Sequence, residues 1–181
     1  MESEQMQTLY RGRFLEMVKT GRWEYVRRCN ARAVICIITV TKDDELIFIE
    51  QFRPPVNRNV IEMPAGLVGD IPGEEEEDLE KAARRELWEE TGYEAEQFEN
   101  LGEFATSAGM CDETVTMFLA RDCIQTGTGG GDESESIIIH TILRREAVSW
   151  LEQRKNMGQL MDARVLTGMW LLEQHFPPSG M

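Results

Sequence analysis

Residues 82–93, AARRELWEETGY, force three glutamates onto one side of a helix. Glu86, Glu89 and Glu90 stand at i, i+3 and i+4, spacings that share a helical face, where each like-charged pair costs roughly 0.2–0.5 kcal/mol. Acids crowd the start of this segment, where the helix dipole favours them, and Gly92 stands where a left-handed C-cap is wanted. The helix is therefore expected from about Glu74 to Thr91. Leu79, Ala82, Ala83 and Leu87 supply its buried side. Its acids are either a solvated face softened by Arg84 and Arg85, or ligands converging on a hard divalent cation, Mg2+ or Mn2+, that shares oxygen donors with phosphate groups.

Around this helix, short runs of β-branched and aromatic residues read as strands: WEYVRR (23–28), RAVICIITV (32–40), ELIFIEQF (45–52) and RNVIEMP (58–64) before it, and FENLGEFATS, TVTMFLARD and IIIHTI after it. TKDDE makes a hairpin of the second and third runs, and the prolines of RPPVN enforce a turn before the fourth. AGLVGDIPG is expected to be a loop, as is the acidic, glycine-rich GTGGGDESES at 127–136. Two helices, RREAVSWLEQRKN and DARVLTGMWLLEQHF, close the chain. At 181 residues and 41% apolar, without repeat or linker, this is one α+β domain over 1–181.

Several function classes are excluded. With 33 acids against 19 bases the net charge is −14, which argues against a nucleic-acid surface; an anionic ligand would need metal ions to carry compensating charge. MESEQMQTLYRGRFLEM has no apolar h-region and no apolar run reaches about 18 residues, so neither a secretory leader nor a membrane partner is expected and the protein is read as cytoplasmic. Cys29, Cys36, Cys111 and Cys123 lack ligand-like spacing and fit a reduced compartment. His140 and His175 belong to no nucleophile constellation.

Arg85-Glu86-Leu87-Trp88-Glu89-Glu90-Thr91-Gly92-Tyr93, with Glu77 eight residues before Arg85, resembles the Nudix box, GX5EX7REUXEEXGU with U apolar or aromatic. The pattern's leading glycine would fall on Ile71. Its equivalent is Gly66, which leaves ten residues rather than five before Glu77, an insertion such as GDIPG. The resemblance implies a Nudix-type α/β/α sandwich with a mixed sheet and an N-terminal strand extension (1–30), the loop and helix of the box occupying 66–93. It further implies metal binding by Glu86, Glu90 and the Ala65 carbonyl, with Glu89 a ligand or outer partner and a candidate base. Arg85 would orient acids such as Glu77 or Glu89.

QFRPPVNRNVIEMPAGLV (51–68), RWEYVRR (22–28), SAGMCDE (107–113) and MDARVLTGMWLLEQ (161–174) resemble segments of ADP-ribose and other nucleotide-sugar pyrophosphatases. Carried over residue by residue, Trp23 would stack on a nucleobase, and Arg28, with Arg27 able to exchange roles, would bind diphosphate together with Arg53. A mobile loop at 126–136 would supply the acid that activates water, Glu135 or else Glu133. Family members of this kind imply a homodimer in which Trp23 can serve the other subunit. The substrate expected first is ADP-ribose, then GDP-mannose. The rivals are hydrolysis of nucleoside triphosphates or dinucleoside polyphosphates, and a sensor that binds a nucleotide sugar without cleaving it.

Overall fold

The computed structural model describes residues 5–131 and 136–177. At its centre is β4 (Ala33–Thr41), whose sequence AVICIITVT is buried almost throughout. A strand turns successive side chains to opposite faces, so an unbroken apolar run is what a strand covered on both faces requires. Val34, Cys36, Ile38 and Val40 enter one core cluster, and Ile35 and Ile37 enter the other. β10 (Thr114–Gln125) runs parallel to β4 and repeats the division, with Val115, Met117 and Leu119 on the first side and Phe118 and Ala120 on the second.

Among the described residues these strands belong to a nine-stranded mixed sheet. β5 (Glu45–Arg53) pairs antiparallel with β4, β6 (Arg58–Glu62) and β11 (Ile137–Leu143), and β7 (Ala65–Val68) also pairs with β4. β8 (Tyr93–Glu94) and β9 (Gln97–Ala105) lie against β10, and β12 (Leu160–Met161) against β6. Helix α1 (Leu79–Thr91) covers one face through Ala82, Ala83 and Leu87. Helices α2 (Arg144–Asn156) and α3 (Ala163–His175) cover the other through Ala147, Leu151, Val165, Leu171 and Leu172. The result is the expected α/β/α arrangement. Among the described residues no helix is long and apolar enough to cross a membrane.

Two local expectations are corrected. The box helix starts at Leu79 rather than Glu74, because the Asp78 carboxylate accepts from the backbone N–H groups of Glu80 and Lys81 and takes the N-cap. AGLV is a strand rather than a loop, since β4 offers it a ladder from Ala33↔Val68 to Cys36↔Ala65. The expected N-terminal strand extension is present: β1 (Gln7–Arg11), β2 (Leu15–Thr20) and β3 (Trp23–Arg28) form a separate antiparallel sheet. That sheet and its turns expose Leu9, Tyr10, Phe14, Leu15 and Trp23.

Candidate active site

Helix α1 lays its acidic face along β7, across a cavity of about 540 Å³. Glu86, Glu89, Glu90, Ala65, Arg28 and Arg53 all line it, although Arg28 stands far from the helix acids in the chain. Asp70, Glu113 and Arg164 line it as well.

The acid side is crowded. Arg85 bonds to Glu86 at 2.8 Å and Glu89 at 3.1 Å through one nitrogen, and to the buried Glu77 at 3.1 and 3.2 Å through the others. Arg85 thus bridges the acids of the box, which the resemblance implied for Glu77 and Glu89. Glu90 accepts the Ala65 N–H at 2.9 Å, tying β7 to the helix. Burial pushes the Glu86 carboxyl up to about 7, against the pull of Arg85 beside it, with Glu89 and Asp70 adding repulsion. Glu77 moves the other way, because Arg85 hydrogen-bonds it.

A divalent cation suits this donor set. Asp70, Glu86, Glu89 and Glu90 offer hard oxygen atoms around one cavity, where Arg85 stands within bonding reach of both Glu86 and Glu89. Gly66 completes the cradle: a Cβ there would fall 1.9 Å from the Glu86 carboxyl carbon, so only glycine lets that carboxylate rest on the β7 backbone. Among the described residues no three acidic or thiol groups already surround one point. Arg85 bridges the carboxylates, which would otherwise repel one another.

Arg28, Arg53 and Arg164 also line the cavity, and each is paired with an acid. Arg28 Nε bonds Glu113 at 2.6 Å. Arg53 makes a two-pronged contact with Glu62, at 2.6 and 2.8 Å. Arg164 grips Asp162 at 2.8 and 2.7 Å and meets Glu62 at 3.5 Å. Arg27, which could have exchanged roles with Arg28, instead lies near Glu16 and Asp112 and is not part of the cavity wall.

Trp23 is not brought to the cavity of its own chain; it is 56% exposed on the separate sheet, with Arg22 5.9 Å from its ring. Glu133 and Glu135 lie outside the described residues. The glycines just before them are described, and they have a packing role. Gly130 and Gly131 donate to the carbonyls of Glu90 and Glu89, closing the last turn of α1. Gly129 has φ +59, and a Cβ on it would meet the Thr91 carbonyl carbon at 2.3 Å. Sequence reading missed Glu62, Glu113 and Arg164. Arg164 carried a signal in Asp162-x-Arg164, an N-cap acid beside an arginine.

A family model, that of the NUDIX domain, matches residues 30–159. The chain is 36% identical over 138 residues to a methanol dehydrogenase activator of Bacillus methanolicus, covering 76% of this chain and 70% of that protein. It is 33% identical, with the same coverage of 76% and 70%, to an ADP-ribose pyrophosphatase of Bacillus subtilis (strain 168). A crystal structure of an ADP compounds hydrolase superposes with a TM-score of 0.72 over 96% of this chain and 95% of that one, at 22% identity, which speaks for the fold.

Proposed function

Since the chain belongs to the Nudix family and is a Nudix hydrolase, we propose that it hydrolyses the diphosphate bond of a nucleoside diphosphate sugar, ADP-ribose first. One observation carries this reading: arginines and carboxylates together line a single cavity large enough for a diphosphate and its two ends. Water adds across the P–O–P bridge, giving a nucleoside monophosphate and a sugar phosphate. The B. subtilis relative's name supports ADP-ribose, whereas that of the B. methanolicus relative names no substrate.

In this reading Arg28 and Arg53 bind the diphosphate through charge-assisted, forked hydrogen bonds. Glu86, Glu90, the Ala65 carbonyl and Glu89 hold Mg2+, with Mn2+ an acceptable substitute. Bound there, the metal supplies charge withdrawal from phosphorus and a more acidic water. Arg85 keeps the acids apart and aligned until the cation arrives. Glu135, with Glu133 and Glu89 as the other candidates, takes the proton of the attacking water. Most of the acceleration comes from positioning and charge stabilisation. The exposed apolar sheet of β1–β3 supports a homodimer in which Trp23 stacks on the base held by the partner.

The test is product identification by anion-exchange chromatography after incubation with Mg2+ and, separately, ADP-ribose, GDP-mannose, UDP-glucose and ATP. Release of AMP and ribose 5-phosphate from ADP-ribose, abolished by EDTA, is expected. Cleavage of ATP alone, or recovery of every sugar nucleotide intact, would overturn the proposal. Faster cleavage of GDP-mannose would move the substrate assignment within it.

A further inference from the structure

The segment that brings the chain to Arg164 is short and tightly held. β12 runs parallel to β6, with Leu160 opposite Val60 and Met161 opposite Ile61, and the Asp162 N–H donates to the Ile61 carbonyl at 2.9 Å. The chain thus arrives beside Glu62, the last residue of β6. Asp162 then caps α3 by accepting the Arg164 N–H at 2.7 Å, and the same carboxylate grips the Arg164 guanidinium through Nε and Nη2. With two atoms held on Asp162, the plane of Arg164 is fixed where its Nη2 also meets Glu62 Oε2 at 3.5 Å.

Glu62 is therefore shared. Its side chain is 2% exposed, and its two oxygens already accept the Arg53 fork. Both arginines line the cavity, and neither Glu62 nor Asp162 does. The cations face the space where an anion would lie while their counterions stand behind them. A single arginine on a buried carboxylate would form a closed pair with its charge turned inward. A second arginine on the same oxygen draws on that carboxylate and leaves Arg53 more of its charge for the cavity.

We propose that Arg164 is a positioning residue for Arg53, acting through the shared Glu62 carboxylate and setting both the plane of the Arg53 guanidinium and the charge it shows to an anionic ligand. Its consequence for turnover rests on the reading above that Arg53 binds diphosphate; its consequence for Arg53 itself does not.

The experiment compares wild type with Arg164→Gln and Arg164→Lys, after circular dichroism has shown that each variant folds. The arginine Nε–Hε resonances of 15N-labelled protein are recorded, with that of Arg53 assigned by its loss in Arg53→Lys. In wild type the Arg53 signal is sharp and slow to exchange. In Arg164→Gln it shifts and exchanges at least several-fold faster, and Arg164→Lys, which keeps the charge without the fork, lies between. An Arg53 signal identical in all three proteins overturns the positioning role. In parallel, KM for ADP-ribose rises about tenfold in Arg164→Gln with kcat within about twofold, and Arg164→Lys recovers part of it. A displaced Arg53 signal with unchanged KM would uphold the positioning and overturn diphosphate binding by Arg53. Wild-type protein that cleaves no sugar nucleotide would sink the proposed function, while the resonances would still decide the role of Arg164.

Discussion

The acidic and basic parts of the cavity lining are assembled by opposite means. On the acidic side Glu86, Glu89 and Glu90 come from neighbouring turns of α1, so their proximity follows from helical spacing. On the basic side Arg28, Arg53 and Arg164 come from β3, β5 and α3, and only the fold gathers them. Their compensation differs too. Each arginine is paired with a carboxylate: Arg28 with Glu113, Arg53 with Glu62, and Arg164 with Asp162 as well as the shared Glu62. Glu86 and Glu89 share Arg85, and burial nonetheless holds the Glu86 carboxyl well above its ordinary value. A built-in counterion makes a wall that is rigid before ligand arrives. A shared one makes a wall whose charge the ligand's metal must complete.

Removing a counterion from the finished side should have the largest effect. Glu62→Ala leaves two partly buried arginines without their common acid, and a loss of about 3–5 kcal/mol in urea unfolding is expected. On the unfinished side the same kind of change acts on chemistry rather than folding. Glu86→Gln should lower kcat by about 10²–10³ with a midpoint of urea unfolding no lower than wild type, as loss of a charge-stabilising group does. A large loss of stability there would erase the contrast.

Gly66→Ala sharpens it further, since the added methyl would occupy the place of the Glu86 carboxyl. A displacement of that size is expected to cost about 10²-fold in kcat, read by AMP release, with Tm little changed. Asp162 gives the smallest effect. Burial alone would raise its pKa, but hydrogen bonds from Arg164 outweigh this and hold it below the usual carboxylate range. Its contribution is present above the unfolded value, near pH ~3.9, and is lost as pH falls through the lower folded value. Asp162→Asn, which keeps a capping acceptor, should therefore be less stable than wild type by about 1 kcal/mol at pH 7, a gap that narrows as pH falls below about 4.

Much of the molecule was legible in the chain. The β-branched run of β4 announced a strand, and the box announced its helix and acids. The misread parts have local causes. Asp78, rather than the acids before it, took the N-cap, and AGLV became a strand only because β4 lay beside it. The glycines at 127–131 read as freedom for a moving loop. Those at 129–131 also adopt positive φ where the chain closes on the end of α1. Trp23, expected to be able to serve the other subunit, stands on a sheet apart from the cavity of its own chain.

The sequence by itself determined the acid face, which helical spacing fixes within a few residues, and carried the box whose resemblance implied the family and the sandwich. Tertiary structure decided which carboxylate stands behind which arginine. Glu62 meets Arg164 across 102 positions and Arg28 meets Glu113 across 85, and no periodicity encodes such a pairing. Only sheet register and the parallel approach of β12 to β6 bring those charges close enough for Coulomb attraction and hydrogen bonding to act.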